Sequence, residues 1–569
     1  KLQPGVDIDQ FNAKIEDYVE EKISDVNEVA ATIFVQPFKD RYLYNTYKNG
    51  EQVGGRITYV RLFTAVAFFI LLIASINFMN LATARSTKRA KEVGVKKVVG
   101  SNRFHLFLQF MTESLMLAVF SALVASLLIA LVIAPLNLLV GKEMTFSLVE
   151  LDQPLRLLGM GAIVGVLAGI YPAIVLSNFK PLSVLKGSFK TSGRSAGLRK
   201  GLVVFQFTIS TALIISTLVV QKQLDFLKNT DLGYAKENVV MINIEGTLYD
   251  LNVREQLKSR LLSNPNFLHV VPVSDSPLST SSSTTGGFSW PEKAAEVQTN
   301  FNVIRTDYGF LEAFNIELLE GRSFDPSLVS DTANVIINEQ TAKIMNMENP
   351  LDHTVTFWNR TGRVIGIVKD FHFSSLHSSI EPLVISLRPE GSQVLNLKIN
   401  SENRQESLDF LGETLKEFNP NYPFEYSFLD DRYNSQYQSE SVVGILGNYF
   451  SGIAIFISLL GLFGLASFAA EQRIKEVGVR KVLGASVFNL IILMAKGFLI
   501  LVSIGFVVAA PLSYYFMNEW LEAYTYKIDM GISVFLVAGL ASLFITIATI
   551  SYHALRAAYV NPVQSLRTE

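Results

Sequence analysis

Cysteine is absent from the 569 residues. That excludes disulfides, thiolate metal sites and a cysteine nucleophile, without assigning a compartment. Histidine is scarce, with six scattered residues. His372 and His377, in DFHFSSLH, face each other only loosely on a helix, whereas a metal site needs more ligands at matched spacing. They are expected to be satisfied side chains, and no metal or catalytic residue is expected. Charge is also sparse, at 18% of residues with a net charge of −2, so no basic excess points to nucleic acid as a partner. No G-x-S-x-G elbow and no G-x-x-x-x-G-K-[ST] phosphate cradle occurs, so the chain is not expected to be an enzyme or to carry its own ATPase.

What the chain does have is hydrocarbon. Hydrophobic residues make up 49%, with 40 Phe and 20 Tyr, and the mean hydropathy is +0.31, which excludes disorder as a global description. Seven segments, at 59–82, 106–135, 155–178, 201–221, 443–469, 487–517 and 530–553, are long and apolar enough to span a bilayer. No charged residue occurs from Ser441 to Ala470 or from Met530 to Leu555. The loop Ala84–His105 carries seven Lys/Arg against Glu92 alone, and Phe179–Lys200 carries six and no acid. These loops, with 471–486, fall on one side, which the positive-inside rule makes cytoplasmic. Segment 222–440, with 18 basic and 30 acidic residues, falls outside. Trp520, Tyr524 and Tyr526 are expected in the outer aromatic belt.

The chain also repeats. Lys91–Gly100 reads KEVGVKKVVG and Lys475–Gly484 reads KEVGVRKVLG, eight identities in ten at an offset of 475 − 91 = 384. Tyr171-Pro172-Ala173 with Pro181-Leu182 echoes Tyr552-His553-Ala554 with Pro562-Val563, and Phe38–Tyr42 echoes Leu429–Tyr433. The unit is one span, a large external domain, then three spans, and both copies have the same orientation. The fold class is therefore a polytopic α-helical membrane protein with a large α+β extracytoplasmic domain and a parallel internal duplication. Seven spans are present where the repeat predicts eight. An external amino terminus with no initiator Met or signal peptide predicts that the start is missing.

The expected domains are 1–57, the tail of a first extracytoplasmic domain; 58–178, a first three-span membrane domain; 179–200, a cytoplasmic linker; 201–221, a stalk helix; 222–440, a second extracytoplasmic domain; and 441–569, a second three-span domain. Within 222–440, Asn238–Glu245, Val364–Val368 and Val394–Ile399 read as strands and Asn403–Phe418 as a helix. The domain is open to a two-lobe division, and Ser279–Gly287 reads as a flexible loop.

Two features carry functional expectations. The KEVGV strings predict short amphipathic helices, the first with Val93, Val95, Val98 and Val99 on an apolar surface ringed by Lys and Arg. Such a helix can lie on anionic headgroups or dock into a cytoplasmic partner. Duplication of Lys91, Glu92, Val93, Gly94, Val95 and Gly100 as Lys475, Glu476, Val477, Gly478, Val479 and Gly484 favours a partner with two equivalent sites, because headgroups need charge but neither an acid nor fixed glycines. Glu113 and Lys496 lie at matching depths in the bilayer, where a charge is a functional candidate. They are expected to pair across the interface between the halves, or else to snorkel.

With these motifs in place, the chain resembles the MacB/FtsX-type permeases of ABC transporters in their duplicated eight-span form. The resemblance rests on both KEVGV strings, the terminal tyrosine/proline motifs, and Glu320–Phe324, Ile337–Glu339 and Val364–Asp370 in the external domain. It implies no cofactor of the chain's own and a separate cytoplasmic ABC ATPase dimer that binds ATP and grips the two loops, making residues 91–100 and 475–484 the coupling elements. It further implies an inner-membrane location with the large domain in the periplasm, membrane lipid around the spans, and efflux or extrusion with a periplasmic adaptor or outer-membrane partner. The alternative is an FtsX-like transmitter that controls a cell-wall hydrolase or sensor by the same mechanotransmission.

Overall fold

The computed structural model describes residues 2–3, 5–18, 33–48, 51–178, 193–274, 283–284, 287–291, 293, 299–347 and 349–559. The chain divides into two units. One comprises Lys1–Arg56, Gln223–Glu440 and Leu521–Ile528; the other comprises Ile57–Lys222, Ser441–Trp520 and Asp529–Glu569.

The second unit is helical, and the described residues contain seven helices long and apolar enough to cross a bilayer. They lie in α1 (Ile57–Val98), α2 (Arg103–Val140), α3 (Asp152–Ser177), α4 (Gly193–Asn229), α5 (Gln438–Gln472), α7 (Val487–Leu521) and α8 (Ile532–Tyr559), with the short α6 (Ile474–Val482) between α5 and α7. The expected span positions are all occupied. Linker residues 179–192, Pro181-Leu182 and Pro562-Val563 lie outside the described residues.

Packing in hydrocarbon relies on small residues and interhelical hydrogen bonds, because lipid tails compete equally for apolar surface. On α3, Gly161, Gly165 and Gly169 stand opposite Ala122, Ala118 and Ser114 of α2, and a methyl on Gly165 would lie 2.6 Å from the Ala118 Cβ. On α4, the Ser210 hydroxyl is hydrogen-bonded to that of Ser458 of α5 at 2.7 Å, Thr217 meets Ser451 at 2.7 Å, and the Thr208 hydroxyl donates to the Gly505 carbonyl of α7 at 3.3 Å. The two halves meet along α1 and α5. There the Asn77 amide donates to the Ile457 carbonyl at 3.3 Å, and Gly461 and Gly464 receive Asn77 and Leu81.

The other unit holds a mixed sheet. Its main strands are β1 (Val239–Asn243), β2 (Phe267–Val273), β3 (Phe301–Thr306), β4 (Val335–Asn338), β5 (Arg360–Val368), β6 (Leu383–Leu387) and β7 (Val394–Ile399), hydrogen-bonded in the order β1-β7-β2-β3-β6-β4-β5. β7 is antiparallel to β1 and β2, while β3–β6 and β4–β5 are parallel. Among the described residues, the β2–β3 ladder pairs at the single position Val273↔Thr306. This narrow joint separates two cores. Leu257, Leu261, Leu397, Leu408, Leu411 and Leu415 fill one, beneath helices Leu251–Leu262 and Arg404–Phe418; Phe288, Trp290, Phe301, Val335 and Phe357 fill the other. The two-lobe reading and the expected strands are thus found. Ser283–Thr284, inside the expected flexible loop, is a short strand against β3, and 275–282 and 285–286 lie outside the described residues.

Two expectations need correction. His372 and His377, which could face each other only loosely on a helix, lie instead in irregular chain after β5. Leu521–Ile528, expected within the last membrane domain, belongs to the sheet unit. The reason is a set of hydrogen bonds. The fully buried Gln223 amide donates to the Tyr526 carbonyl at 2.9 Å and its oxygen accepts the Ile528 amide at 2.9 Å, while the Thr525 hydroxyl donates to the His377 carbonyl at 2.7 Å.

Candidate coupling corners

The duplicated strings form two corners with the same pattern of backbone hydrogen bonds. In the first, the Ser101 amide donates to the Lys96 carbonyl at 2.9 Å and the Gly100 amide to the Lys97 carbonyl at 3.2 Å; in the second, Ala485 donates to Arg480 at 2.9 Å and Gly484 to Lys481 at 3.0 Å. This is the Schellman closure of a helix, which needs a left-handed residue. Gly100 and Gly484 supply it at φ +110° and +90°. Their recurrence is therefore explained by the backbone, and a partner is not needed to account for them. The next helix is capped identically, since the Asn102 side chain accepts the His105 amide at 2.8 Å and the Ser486 hydroxyl accepts the Asn489 amide at 3.3 Å. Every one of these positions is related by the 384-residue offset.

Each string is pinned by one valine. Val93 is 1% exposed against Leu106, Phe110, Ala173 and Leu176, and Val477 is 2% exposed against Leu490. The expected apolar surface divides here. Val95, Val98 and Val99, and their counterparts Val479, Val482 and Leu483, face outward, with Val99 and Leu483 at least 80% exposed. The corner buries one apolar residue and presents three. Val482 and Leu483 were not singled out from the sequence, although the offset from Val98 and Val99 would have found them.

Glu92 and Glu476 have equivalent roles. Glu92 accepts from Lys96 at 2.8 Å and Glu476 from Arg480 at 2.9 Å, both at i,i+4. The Lys97 ammonium donates to the Ser177 carbonyl at 2.6 Å, tying the first corner to the end of α3; burial, then Arg103, lowers its pKa. Gly94 is buried. Lys91, Lys475 and Gly478 lie on the described backbone within these helices. One asymmetry departs from expectation. The first string is the unbroken end of the 42-residue α1, whereas the second is the separate nine-residue α6, set off from α5 by the non-helical Arg473. Neither junction contains Gly or Pro.

The expected pairing of Glu113 with Lys496 is not found. Glu113 is engaged by Arg89 of its own half and by the Gln109 amide at 3.1 Å, so the acid is satisfied locally and has no need of a partner across the interface. Lys496 lines a separate cavity with Arg199 and Arg473.

Two aromatics expected in the lipid belt also serve elsewhere. Tyr524, 4% exposed, stacks on His377 at 4.5 Å, and Tyr526 meets His372 edge-on at 4.7 Å. His377 Nε2 lies 3.4 Å from Glu440. That contact, partly opposed by burial, raises its pKa, while burial lowers that of His372. No metal-binding cluster occurs among the described residues.

Known proteins match this arrangement. The FtsX-like permease C-terminal model matches residues 64–181 and again 448–562, and the MacB-like periplasmic core domain model matches 205–406. The chain is 31% identical over 126 residues to a macrolide export ATP-binding/permease protein MacB of Bdellovibrio bacteriovorus, covering 22% of this chain and 19% of that protein. It is 25% identical over 187 residues to the protein of the same name from Campylobacter jejuni, covering 32% and 29%. The chain thus spans less than a third of the length of these relatives. The periplasmic region of MacB from Actinobacillus actinomycetemcomitans aligns at 20% identity and a TM-score of 0.26, over 36% of this chain and 94% of that one.

The domain matches define a permease of ABC transporters. The chain belongs to the MacB/FtsX-type permeases. It is a multi-pass inner-membrane protein whose large domain is periplasmic.

Proposed function

We propose that this permease works with a separate cytoplasmic ABC ATPase and converts ATP-driven closure of that ATPase into movement of its periplasmic domain, for export or extrusion of a periplasmic or membrane-derived substrate. The observation that carries this reading is the pair of equivalent corners, each pinned by one buried valine and presenting three apolar side chains outward. Exposed apolar clusters ringed by charge mark interaction surfaces, and two equivalent ones suit a partner with two equivalent sites. α1 is continuous with the first corner, and α4 and α5 are single helices in which Lys222 gives way to Gln223 and Glu440 to Ser441, the boundaries between the units. The relatives named for macrolide export support export as the use of such a lever.

The test is co-purification from membranes. An ABC ATPase should accompany the parent protein and hydrolyse ATP. Val98→Asp plus Val482→Asp, both exposed and outside the core, should release it, as should Glu92→Lys plus Glu476→Lys, which places like charges at i,i+4. If no ATPase accompanies an intact parent, the coupling reading fails, and the corners are charged membrane anchors.

A further inference from the structure

Arg89 and Arg473 hold the same place in the two copies, since 473 − 89 = 384. Their surroundings differ in charge. Arg89 is neutralised by Glu113, but the residue that replaces Glu113 in the second copy is Gly497, and its neighbour Lys496 adds another cation. Arg473 and Lys496 line a cavity of about 560 Å³ together with Arg199, Lys200 and Gln472. Among the described residues, no carboxylate lines it and none of the four cations forms an ion pair. The Arg199 Nε is buried without a hydrogen bond. Like charges gathered at a membrane interface without a counterion repel one another. Snorkelling would relieve Lys496 alone and does not account for two arginines converging on it.

The cavity continues into hydrocarbon. Lys496 and Ile500 also line a second groove of about 680 Å³ whose other walls, apart from Ser503, are apolar. Ile492, Ile504 and Val507 along it are exposed. Lys496 is nine residues into α7, about 13 Å along the helix axis. A basic mouth opening onto an apolar groove matches an anionic lipid better than a soluble anion.

We infer that the second copy binds one anionic phospholipid of the cytoplasmic leaflet. Its phosphate takes the place that the Glu113 carboxylate holds in the first copy, between Arg473, Lys496 and Arg199, and an acyl chain lies along the groove. The duplicated bundle is thus completed by a side chain in one half and by lipid in the other.

Native mass spectrometry of the full chain in neutral detergent tests this, with phosphatidylglycerol, phosphatidylcholine and glycerol 3-phosphate as probes. The parent should retain one phosphatidylglycerol, roughly tenfold more than phosphatidylcholine, and no glycerol 3-phosphate. Arg473→Gln plus Lys496→Gln should reduce retention roughly tenfold. Gly497→Glu, which restores the first copy's acid, should expel the lipid from a protein that remains monodisperse. Equal retention of both lipids, retention unchanged in the variants, glycerol 3-phosphate held as well as the lipid, or a folded parent that retains nothing would each overturn the inference.

Discussion

Arg322 and Asp331 show how a family motif can be structural. The Arg322 guanidinium donates to both oxygens of the fully buried Asp331 at 2.6 and 2.8 Å, and the Asp325 amide and Asn334 side chain donate to the same carboxylate. Desolvation pushes its pKa upward, but these donors hold it below the usual carboxylate value. Arg322→Ala should cost about 3 kcal/mol, the low end for breaking a buried pair, because the Arg322 side chain is 42% exposed. Thermal unfolding followed by tryptophan fluorescence reads it, since Trp290 and Trp358 pack in that lobe. His377 gives the opposite pH signature. Its folded pKa is raised by Glu440, so its contribution is fully present below the unfolded value of about 6.5 and is lost as pH rises through the folded value. The protein should melt higher at pH 6 than at pH 8 through this contact, and Glu440→Gln should abolish that part of the difference.

At the scale of elements, glycines determine which helices touch. Gly165 admits α2 so closely that a larger side chain must push the helices apart. Gly165→Leu should therefore destabilise by about 1–3 kcal/mol, lowering the melting temperature. Gly452→Leu, at an α5 position with nothing within 4 Å, should leave it unchanged. The periodicity of 106–135 and 155–178 identifies both spans, but the stripe Gly161/Gly165/Gly169 acquires its meaning only from the matching Ser114/Ala118/Ala122 across from it. In the same way, the string KEVGVKKVVG marks one of two duplicated corners, while which of its valines is the anchor depends on where α2 and α3 pass.

At the scale of the molecule, the two halves join where α1 meets α5. A Cβ built on Gly461 lies 3.0 Å from the Asn77 Cγ, which puts cysteines at the two positions within disulfide reach. The native chain contains no competing thiol. Asn77→Cys plus Gly461→Cys should cross-link under mild oxidation, as a mobility shift on non-reducing gels. If the lever operates by movement between the halves, ATP turnover of the co-purified ATPase should fall when the link is closed and recover on reduction.

Periodicity, charge asymmetry and the 384-residue offset were enough to define seven spans, their orientation, the duplicated strings and the α+β domain, while its division into two lobes stayed open. Hydrophobic burial and the positive-inside rule act on local sequence, so these features are legible along the chain. The tertiary structure decided which charges meet. Glu113 pairs with Arg89 across the corner of its own half, Lys496 lines a cavity with Arg473 and Arg199, and Tyr524 and Tyr526 pack against His377 and His372. A pair interaction depends on distance in space, and residues equally spaced along two copies acquire different partners where the positions facing them differ, as Glu113 differs from Gly497 and Thr112 from Lys496.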